Sequence, residues 1–303
     1  MLRSSARAVV VVFALALAVP ALASPALAKT KGGGGGGGGL ASGTGVDVSY
    51  PQCGSTLPTG QAFGIVGVNG GLANDYNPCL ASEWKYALAS VGTTRQARAQ
   101  AYVNTGDPGN TVADWPSPTN LGNYGTSATP FGDCTYAAGS SGPGAMTAAC
   151  AYIYGYDMVV GGINDGSQGT IAGDLSDFSK ATGGALNAQP VWLDVETGNS
   201  WQSGSNGLSM NVADLNGMVA ALRAPNATAA VGVYSTGYQW NQITGTPSGT
   251  TAGNLSGLPD WIPGASTQSA AASTCTQSAF TGGTVSLTQW TSSGRDYDHS
   301  CPG

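Results

Sequence analysis

The stretch Val191-Trp192-Leu193-Asp194-Val195-Glu196-Thr197-Gly198 decides the fold of this chain and points to its chemistry. It is an apolar, β-prone run that ends in two acids and a glycine. Residues two apart on a strand face the same side, so Asp194 and Glu196 should project together with Trp192. The chain has only two glutamates, Glu83 and Glu196. Because paired carboxylates at the end of a buried strand are costly, the stretch predicts a paired-carboxylate active site.

Three segments are expected along the chain. Residues 1–28 are typical of a secretion signal, with a basic start, an apolar run and a small-residue cleavage site at Ala26-Leu27-Ala28. Residues 29–43 are predicted to form a flexible linker that contains the eight glycines Gly32–Gly39. Residues 44–303 have the size of one large domain.

The charge of the chain excludes two classes of partner. The formal net charge is −6, and removal of the signal takes away two arginines, which leaves −8 (8 basic minus 16 acidic residues). Nucleic acid and anionic lipid both require a basic surface. The sequence therefore predicts no nucleic-acid partner and, after signal removal, no membrane partner. We expect a secreted monomer, extracellular or associated with a cell wall.

The six cysteines predict three disulfides, because an even count in a secreted chain indicates a disulfide framework. Fifteen connectivities are possible. Sequential pairing is favoured, since each bond would then close a local loop: Cys53 with Cys79, Cys134 with Cys150, and Cys275 with Cys301.

Strands and helices alternate along the domain, which indicates a parallel sheet. The predicted strands are Gly45–Ser49, Phe63–Asn69, Gln100–Asn104, Pro190–Val195, Ala229–Tyr234, Asp260–Ile262 and Val285–Trp290. The predicted helices are Pro78–Ser90, Ala145–Val160, Asp174–Thr182 and Asn211–Leu222.

The odd-even pattern of these strands favours a closed barrel. Aliphatic residues occupy one face of several strands, while the other face holds glycine, polar or aromatic residues. A parallel sheet covered on both faces would read as continuous aliphatics. A barrel explains the split, because its site lies at the carboxyl ends of the strands. The polar residues at such ends are Asp47, Asn69, Asn104, Asp194, Glu196 and Tyr234.

Four motifs, in order, resemble the lysozyme-type glycoside hydrolases of family 25, which are secreted muramidases. They are Gly45-Val-Asp-Val-Ser49 with Gln52, Leu193-Asp-Val-Glu196, Gly232-Val-Tyr-Ser235 with Trp240, and Gln289-Trp290 followed by Arg295-Asp-Tyr-Asp298. The resemblance implies an irregular TIM-like (β/α) barrel with long loops and disulfides. It also implies a cell-wall polysaccharide, peptidoglycan or a related amino-sugar polymer, as the partner.

The chain departs from the family pattern in four places. The third strand has Ala101-Tyr-Val-Asn104 where the family carries an aromatic-histidine pair, and Trp261-Ile-Pro-Gly-Ala265 replaces a Trp-x-Ala-x-Tyr pattern. Long insertions follow Asn104 and span Gly161 to Gly173. These departures place the chain in a divergent branch.

The acids are assigned distinct roles in glycoside hydrolysis. Glu196 is the candidate general acid, with a pKa raised by nearby Asp47 and Asp194. Asp194 is expected to stay ionised and stabilise the positive charge on the sugar, or to orient a substrate acetamido group. Asp47 is either a charge-tuning residue or a turn cap. Either Asp296 or Asp298 matches the family's late aspartate, and Asp298 fits the terminal spacing slightly better.

The remaining site candidates are substrate-binding residues. Tyr234, Trp240, Trp290 and Trp192 are candidates for stacking on sugar rings, with core packing as the alternative for Trp192 and Tyr234. The last two candidates are Asn69 and Asn104, at strand ends. His299 is interpreted as surface structure. No ligand spacing or nucleophile elbow is present in the sequence, so we expect no metal and no cofactor.

The sequence therefore predicts a glycoside hydrolase that acts on peptidoglycan or a related amino-sugar polymer. The alternative is a glycan-binding module of the same barrel that has lost turnover, which the altered third and sixth strands favour. A secreted hydrolase of another polysaccharide is a third possibility.

Overall fold

The computed structural model describes residues 40–73, 75–139, 141–161, 173–224, 228, 230–245 and 253–303. The predicted signal, most of the predicted linker and most of the second insertion lie outside these residues. In the described part, no helix is both long and apolar enough to span a bilayer.

Eight strands form a closed barrel in the described residues. They are β1 (Thr44–Val48), β2 (Gly64–Gly67), β3 (Ala99–Asn104), β6 (Val191–Asp194), β7 (Val231–Tyr234), β8 (Asp260–Ala265), β9 (Val285–Ser292) and β10 (Arg295–Ser300). Two short strands, β4 (Ala128–Thr129) and β5 (Gly132–Asp133), pair with each other outside the barrel.

The order of the strands around the barrel is β1-β10-β9-β8-β7-β6-β3-β2. All neighbouring pairs are parallel except those of β10, which runs antiparallel to both β9 and β1. The predicted barrel is confirmed, and its irregularity lies in β10.

Helices connect the strands and cover the barrel. They are α1 (Leu80–Leu88), α2 (Ala148–Val160), α3 (Gly173–Thr182), α4 (Gly204–Leu222), α5 (Gly237–Thr244) and α6 (Gln268–Thr274). Single 3-10 turns occur at Tyr50–Gln52, Gly109–Thr111, Leu186–Ala188 and Gly253–Leu255.

The predicted split of strand faces is observed on β6. Trp192 packs inside the barrel with Trp261 and Ile65. Its neighbours Val191 and Leu193 belong to the larger apolar cluster between the sheet and the helices. The barrel interior is therefore filled by a few large side chains, and the aliphatic core lies outside it.

Gly232 provides the space that Trp192 occupies inside the barrel. The two residues lie opposite each other on β7 and β6. A Cβ built on Gly232 would overlap the Trp192 ring and lie 2.9 Å from the carbonyl oxygen of Pro259. The absence of a side chain at this position is thus a packing requirement.

We expect Gly232→Ala to lower the free energy of unfolding by about 1–3 kcal/mol, the usual cost of overpacking a core. Chemical denaturation measures this. Gly198→Ala is the matched control, because a Cβ on Gly198 meets no atom within 4 Å. Equal stabilities of the two variants would contradict the packing role of Gly232.

The last strand was not predicted, because its sequence Arg295-Asp-Tyr-Asp-His-Ser300 is too polar to show an apolar alternation. Ser293 and Gly294, both with positive φ (54° and 72°), form the two-residue turn between β9 and β10. Such a turn directs the chain back beside the preceding strand. Hydrogen bonding to both β9 and β1 then makes β10 the closing strand of the barrel.

Other differences from the predicted elements concern helices. The helix predicted to begin at Asn211 begins at Gly204, within a Gly- and Ser-rich segment of low helix propensity. The short helices α5 and α6 were also missed. Each is preceded by an N-cap threonine, Thr236 or Thr267, whose side chain accepts a hydrogen bond from a backbone N–H of the first turn.

The three predicted disulfides are present with sequential pairing. They join Cys53 to Cys79, Cys134 to Cys150, and Cys275 to Cys301. The first ties the loop after β1 to the start of α1. The third holds the chain end after β10 against α6.

Candidate active site

One open cavity of about 320 Å³ lies at the carboxyl end of the parallel strands. We call it the carboxylate cavity. Its lining residues come from seven of the eight barrel strands or the loops that follow them: Asp47, Tyr102, Asp194, Glu196, Tyr234, Trp261, Gln289, Thr291 and Asp296. Four of these nine residues carry carboxyl groups, and none is a lysine, arginine or histidine.

The direction of β10 places Asp296 rather than Asp298 at the cavity. Because β10 is antiparallel, its first residues lie at the mouth, and Asp296 pairs with Asp47 across the β1–β10 ladder. Asp298 pairs with Gly45, two residues deeper, and is fully buried. Burial, and then the charge of Asp47, hold the pKa of Asp298 well above its usual range. Asp298 thus lies behind the cavity wall.

Asp47 is held by a chain of polar contacts. Gln289 Nε2 donates to Asp47 Oδ2 at 3.1 Å, and Tyr234 Oη donates to Gln289 Oε1 at 3.0 Å. Burial, and after it the charge of Asp296, raise the pKa of Asp47 to about 7, although the bond from Gln289 acts in the opposite direction. This carboxyl group therefore changes between its protonated and ionised forms near neutral pH.

Asp194 is the deepest of the carboxyl groups that line the cavity. It is 8% exposed, and its Oδ1 has no hydrogen-bond partner. Burial, followed by the charges of Glu196 and Asp47, raises the pKa of Asp194 well above its usual range. A raised pKa favours the protonated carboxyl, whereas the sequence predicts that Asp194 stays ionised. The difference arises because the end of β6 is more buried than the sequence indicates.

Glu196 follows β6 and is half-buried. Its backbone carbonyl accepts hydrogen bonds from Trp201 Nε1 at 2.8 Å and from the Asn199 N–H at 3.2 Å. Burial is the main cause of its raised pKa, Gln239 opposes it, and Asp296 is the nearby charge that adds to it. The negative charge that raises the pKa of Glu196 thus comes from Asp296 on β10, whereas the sequence predicts that Asp47 and Asp194 supply it.

Four candidate binding residues lie outside the cavity lining. Asn69 accepts a hydrogen bond from the Asn104 N–H at 2.6 Å and donates to Asp174 at 2.9 Å, so it joins β3 to α3. Trp240 is 2% exposed and packs near Phe280. Trp290 lies between Gln289 and Thr291 on β9, and therefore faces the opposite side, where it stacks on Tyr297. The fourth is Asn104 itself.

Tyr234 lines the cavity, and its ring contacts Trp261 edge-on with centroids 4.5 Å apart. Trp192 packs in the barrel interior, and its Nε1 donates to Gln100 Oε1 at 2.9 Å. Five residues that line the cavity or contact its carboxyl groups were not assigned to the site from the sequence: Tyr102, Gln239, Trp261, Gln289 and Thr291. Gln289 and Thr291 are two residues apart and share one face of β9. The same two-residue spacing is the basis for predicting that Asp194 and Glu196 project together.

Within the described residues, one group of three potential metal ligands has its ligand atoms close together: Cys53, Cys79 and Glu83. Its two sulfurs form a disulfide, so they cannot bind a metal as thiolates. His299 is half-buried on β10 and does not line the carboxylate cavity.

The raised carboxyl pKa values predict the pH dependence of stability. A carboxyl whose pKa is higher in the folded state binds its proton more tightly there, so its contribution is present below pH 4 and is lost as pH rises through the folded-state value. For Asp47 this window extends from about 4 to about 7. Asp157 on α2, also raised to about 7 by burial, acts in the same direction.

We expect the free energy of unfolding to be larger at pH 5 than at pH 8 by at least about 1.4 kcal/mol, the value of one pKa unit. Urea denaturation at the two pH values measures this difference. Asp47→Asn should reduce it, while Asp75→Asn, an exposed site, should leave it unchanged. Greater stability at pH 8 would contradict the assigned pKa directions.

Comparison with known proteins gives one family match. The family model described as Lysozyme-like protein 1 matches residues 175–257, a range that contains Asp194, Glu196 and Tyr234. The predicted lysozyme-like resemblance is confirmed over this part of the chain. No curated protein is significantly similar to it.

Three solved structures are similar to the chain. A bacterial lysozyme from Streptomyces coelicolor is 15% identical, with 88% of this chain and 94% of that chain covered and a TM-score of 0.46. A muramidase from Acremonium alcalophilum is 15% identical, with coverages of 86% and 94% and a TM-score of 0.43. The modular autolysin LytC from Streptococcus pneumoniae is 12% identical, with coverages of 84% and 45% and a TM-score of 0.44.

Proposed function

We propose that this protein is a secreted glycoside hydrolase that cleaves peptidoglycan or a related amino-sugar polymer. The observation that carries the proposal is the carboxylate cavity, in which four carboxyl groups and no basic side chain surround one open space. Such a space favours a substrate that becomes positively charged during reaction, as a sugar does in glycoside hydrolysis. The lysozyme-like match over residues 175–257 supports the choice of polymer.

Glu196 is the proposed general acid. It lies half-buried at the cavity, and its raised pKa keeps a proton available. The bond between the anomeric carbon and the glycosidic oxygen breaks, its electron pair goes to the oxygen, and that oxygen takes the Glu196 proton. Water adds its hydroxyl to the anomeric carbon and returns a proton to a carboxylate.

Asp194, Asp47 and Asp296 surround the position where positive charge develops. Asp194 lines the cavity, where its carboxyl group faces the sugar or its acetamido group. Asp47 and Asp296 face each other across the β1–β10 ladder, and Gln289 and Thr291 orient them by hydrogen bonds of 3.1 and 2.8 Å. Ionised forms of these groups would stabilise the sugar cation electrostatically.

Secretion forms part of the proposal. Three disulfides suit an oxidising compartment, and residues 1–28 have the pattern of a secretion signal. Residues 44–303 are proposed to act as one hydrolase domain and as a monomer.

The proposal is tested by incubating the purified protein with insoluble bacterial cell walls and measuring new reducing ends. Mass spectrometry of the released fragments identifies the cleaved bond. We expect reducing ends to accumulate with time. Saturable wall binding without new reducing ends would favour the alternative, a glycan-binding module whose third strand has Ala101-Tyr-Val-Asn104 where the family carries an aromatic-histidine pair.

Variants of the two late aspartates should differ in activity. Asp296→Asn is expected to lower kcat/KM at least tenfold, because Asp296 lines the cavity. Asp298→Asn should have a smaller effect, since Asp298 is fully buried behind Asp47. Initial rates on cell walls measure both. A larger loss of kcat/KM in Asp298→Asn than in Asp296→Asn would contradict this assignment and make the buried Asp298 the functional aspartate.

A further inference from the structure

A second pocket of about 210 Å³ is lined in part by the segment after β6, which also contributes Glu196 to the carboxylate cavity. We call it the aliphatic pocket. It is formed by loops that follow β2, β3 and β6 and by one residue of α2. Its apolar wall consists of Leu72, Ala73, Pro108, Val112 and the ring of Tyr154. The segment that supplies Pro108 and Val112 belongs to the long insertion after Asn104, where the sequence departs from the family pattern.

The segment that follows β6 contributes to both spaces and is called the shared wall: its Glu196 lines the carboxylate cavity, and its Asn199 and Ser200 line the aliphatic pocket. Thr105 lines the aliphatic pocket, and its Oγ1 donates to the backbone oxygen of Asp194 at 2.6 Å. Asn199 also lines the pocket, and its N–H donates to the backbone oxygen of Glu196 at 3.2 Å. A substrate bound at the acids is therefore within reach of this pocket.

The chemistry of the pocket differs from that of the cavity. None of its lining residues carries a charge. One side is aliphatic, and the side formed by the shared wall offers the amide of Asn199 and the hydroxyl of Ser200. This combination suits a chain with small apolar side chains and amide groups. Leu72 is 56% exposed, which leaves a large apolar surface available to such a ligand.

We propose that the aliphatic pocket binds a short aliphatic peptide substituent carried by the sugar strand beside the cleaved bond. The protein would then prefer amino-sugar polymers that bear such peptides over the same polymers without them. This inference rests on the proposed function, and it names a specificity determinant of that site. Leu72 supplies exposed apolar contact, and Asn199 and Ser200 supply hydrogen-bonding groups for the peptide amides.

The test compares one glycan in two forms, with its peptides intact and with them removed by an amidase. We expect the wild type to have a kcat/KM at least fivefold higher on the peptide-bearing form, mainly through a lower KM. In Leu72→Asp this ratio should fall to about one. Leu88→Asp is the matched control, because Leu88 on α1 is also 56% exposed and lies outside the pocket lining, and its ratio should equal that of the wild type.

A wild-type ratio near one, or a ratio retained in Leu72→Asp, would overturn the inference while the proposed function stands. If the wild type cleaves neither form, the proposed function fails, and equilibrium binding of the two forms then decides the inference. Tighter binding of the peptide-bearing form that is lost in Leu72→Asp supports the pocket assignment. Equal binding of the two forms overturns it.

Discussion

Glu196→Gln is expected to lower kcat for reducing-end release about a thousandfold, within the range typical of a lost general acid. The change removes the proton donor but preserves the size and hydrogen-bonding capacity of the side chain. The backbone bonds from Trp201 and Asn199 to residue 196 do not depend on its side chain, so the fold should persist. Initial rates at saturating cell-wall substrate measure the loss, and circular dichroism checks the fold.

Glu83→Gln is the matched control for this experiment. Glu83, on α1, is the only other glutamate; its carboxyl accepts a hydrogen bond from Asn77 at 2.7 Å, and it does not line the cavity. Burial also raises its pKa, so replacement by a neutral residue changes little. Its kcat should match that of the wild type. A folded Glu196→Gln variant with more than a tenth of wild-type activity would show that another group donates the proton.

Asp194→Asn is expected to lower kcat about a hundredfold, because an amide cannot release a proton and become the carboxylate that stabilises the positive charge on the sugar. The effect should appear in kcat more than in KM, since the charge develops only in the transition state. Steady-state kinetics on soluble wall fragments separate the two constants. A kcat within threefold of the wild type would remove Asp194 from the mechanism.

The same variant distinguishes the two roles that the sequence leaves open for Asp194. If Asp194 acts directly on the sugar cation, the loss should be equal on N-acetylated and N-deacetylated polymer. If it orients an acetamido group, the loss should be confined to the N-acetylated form. Asp194 ends β6 and Glu196 follows two residues later, a spacing that is compatible with either role.

Much of the barrel follows from the sequence because its strands alternate strictly. Val191 and Leu193 pack outward while Trp192 and Asp194 face inward, and this period of two is visible without a structure. The disulfides also followed, since each closes a local loop. The polar strand β10 has no such alternation, and its pairing depends on the Ser293-Gly294 turn and on two neighbouring strands.

The same limitation explains why some predicted site residues lie outside the cavity lining. The choice between Asp296 and Asp298 depends on the direction of β10, which no local pattern reveals. Trp290 looks suitable for a sugar, but the phase of β9 directs Gln289 and Thr291 into the cavity instead. Asn69 lies two residues beyond the end of β2, and its side-chain amide is hydrogen-bonded to Asn104 and Asp174.

A crystal structure of Glu196→Gln with a bound amino-sugar oligomer tests the central claim most directly. We expect the glycosidic oxygen to lie within about 3 Å of the side chain of residue 196, with Asp47, Asp194 and Asp296 around the adjoining sugar ring. An oligomer bound on another surface, with the carboxylate cavity closed to it, would contradict the claim that the barrel brings these acids together to act on a sugar.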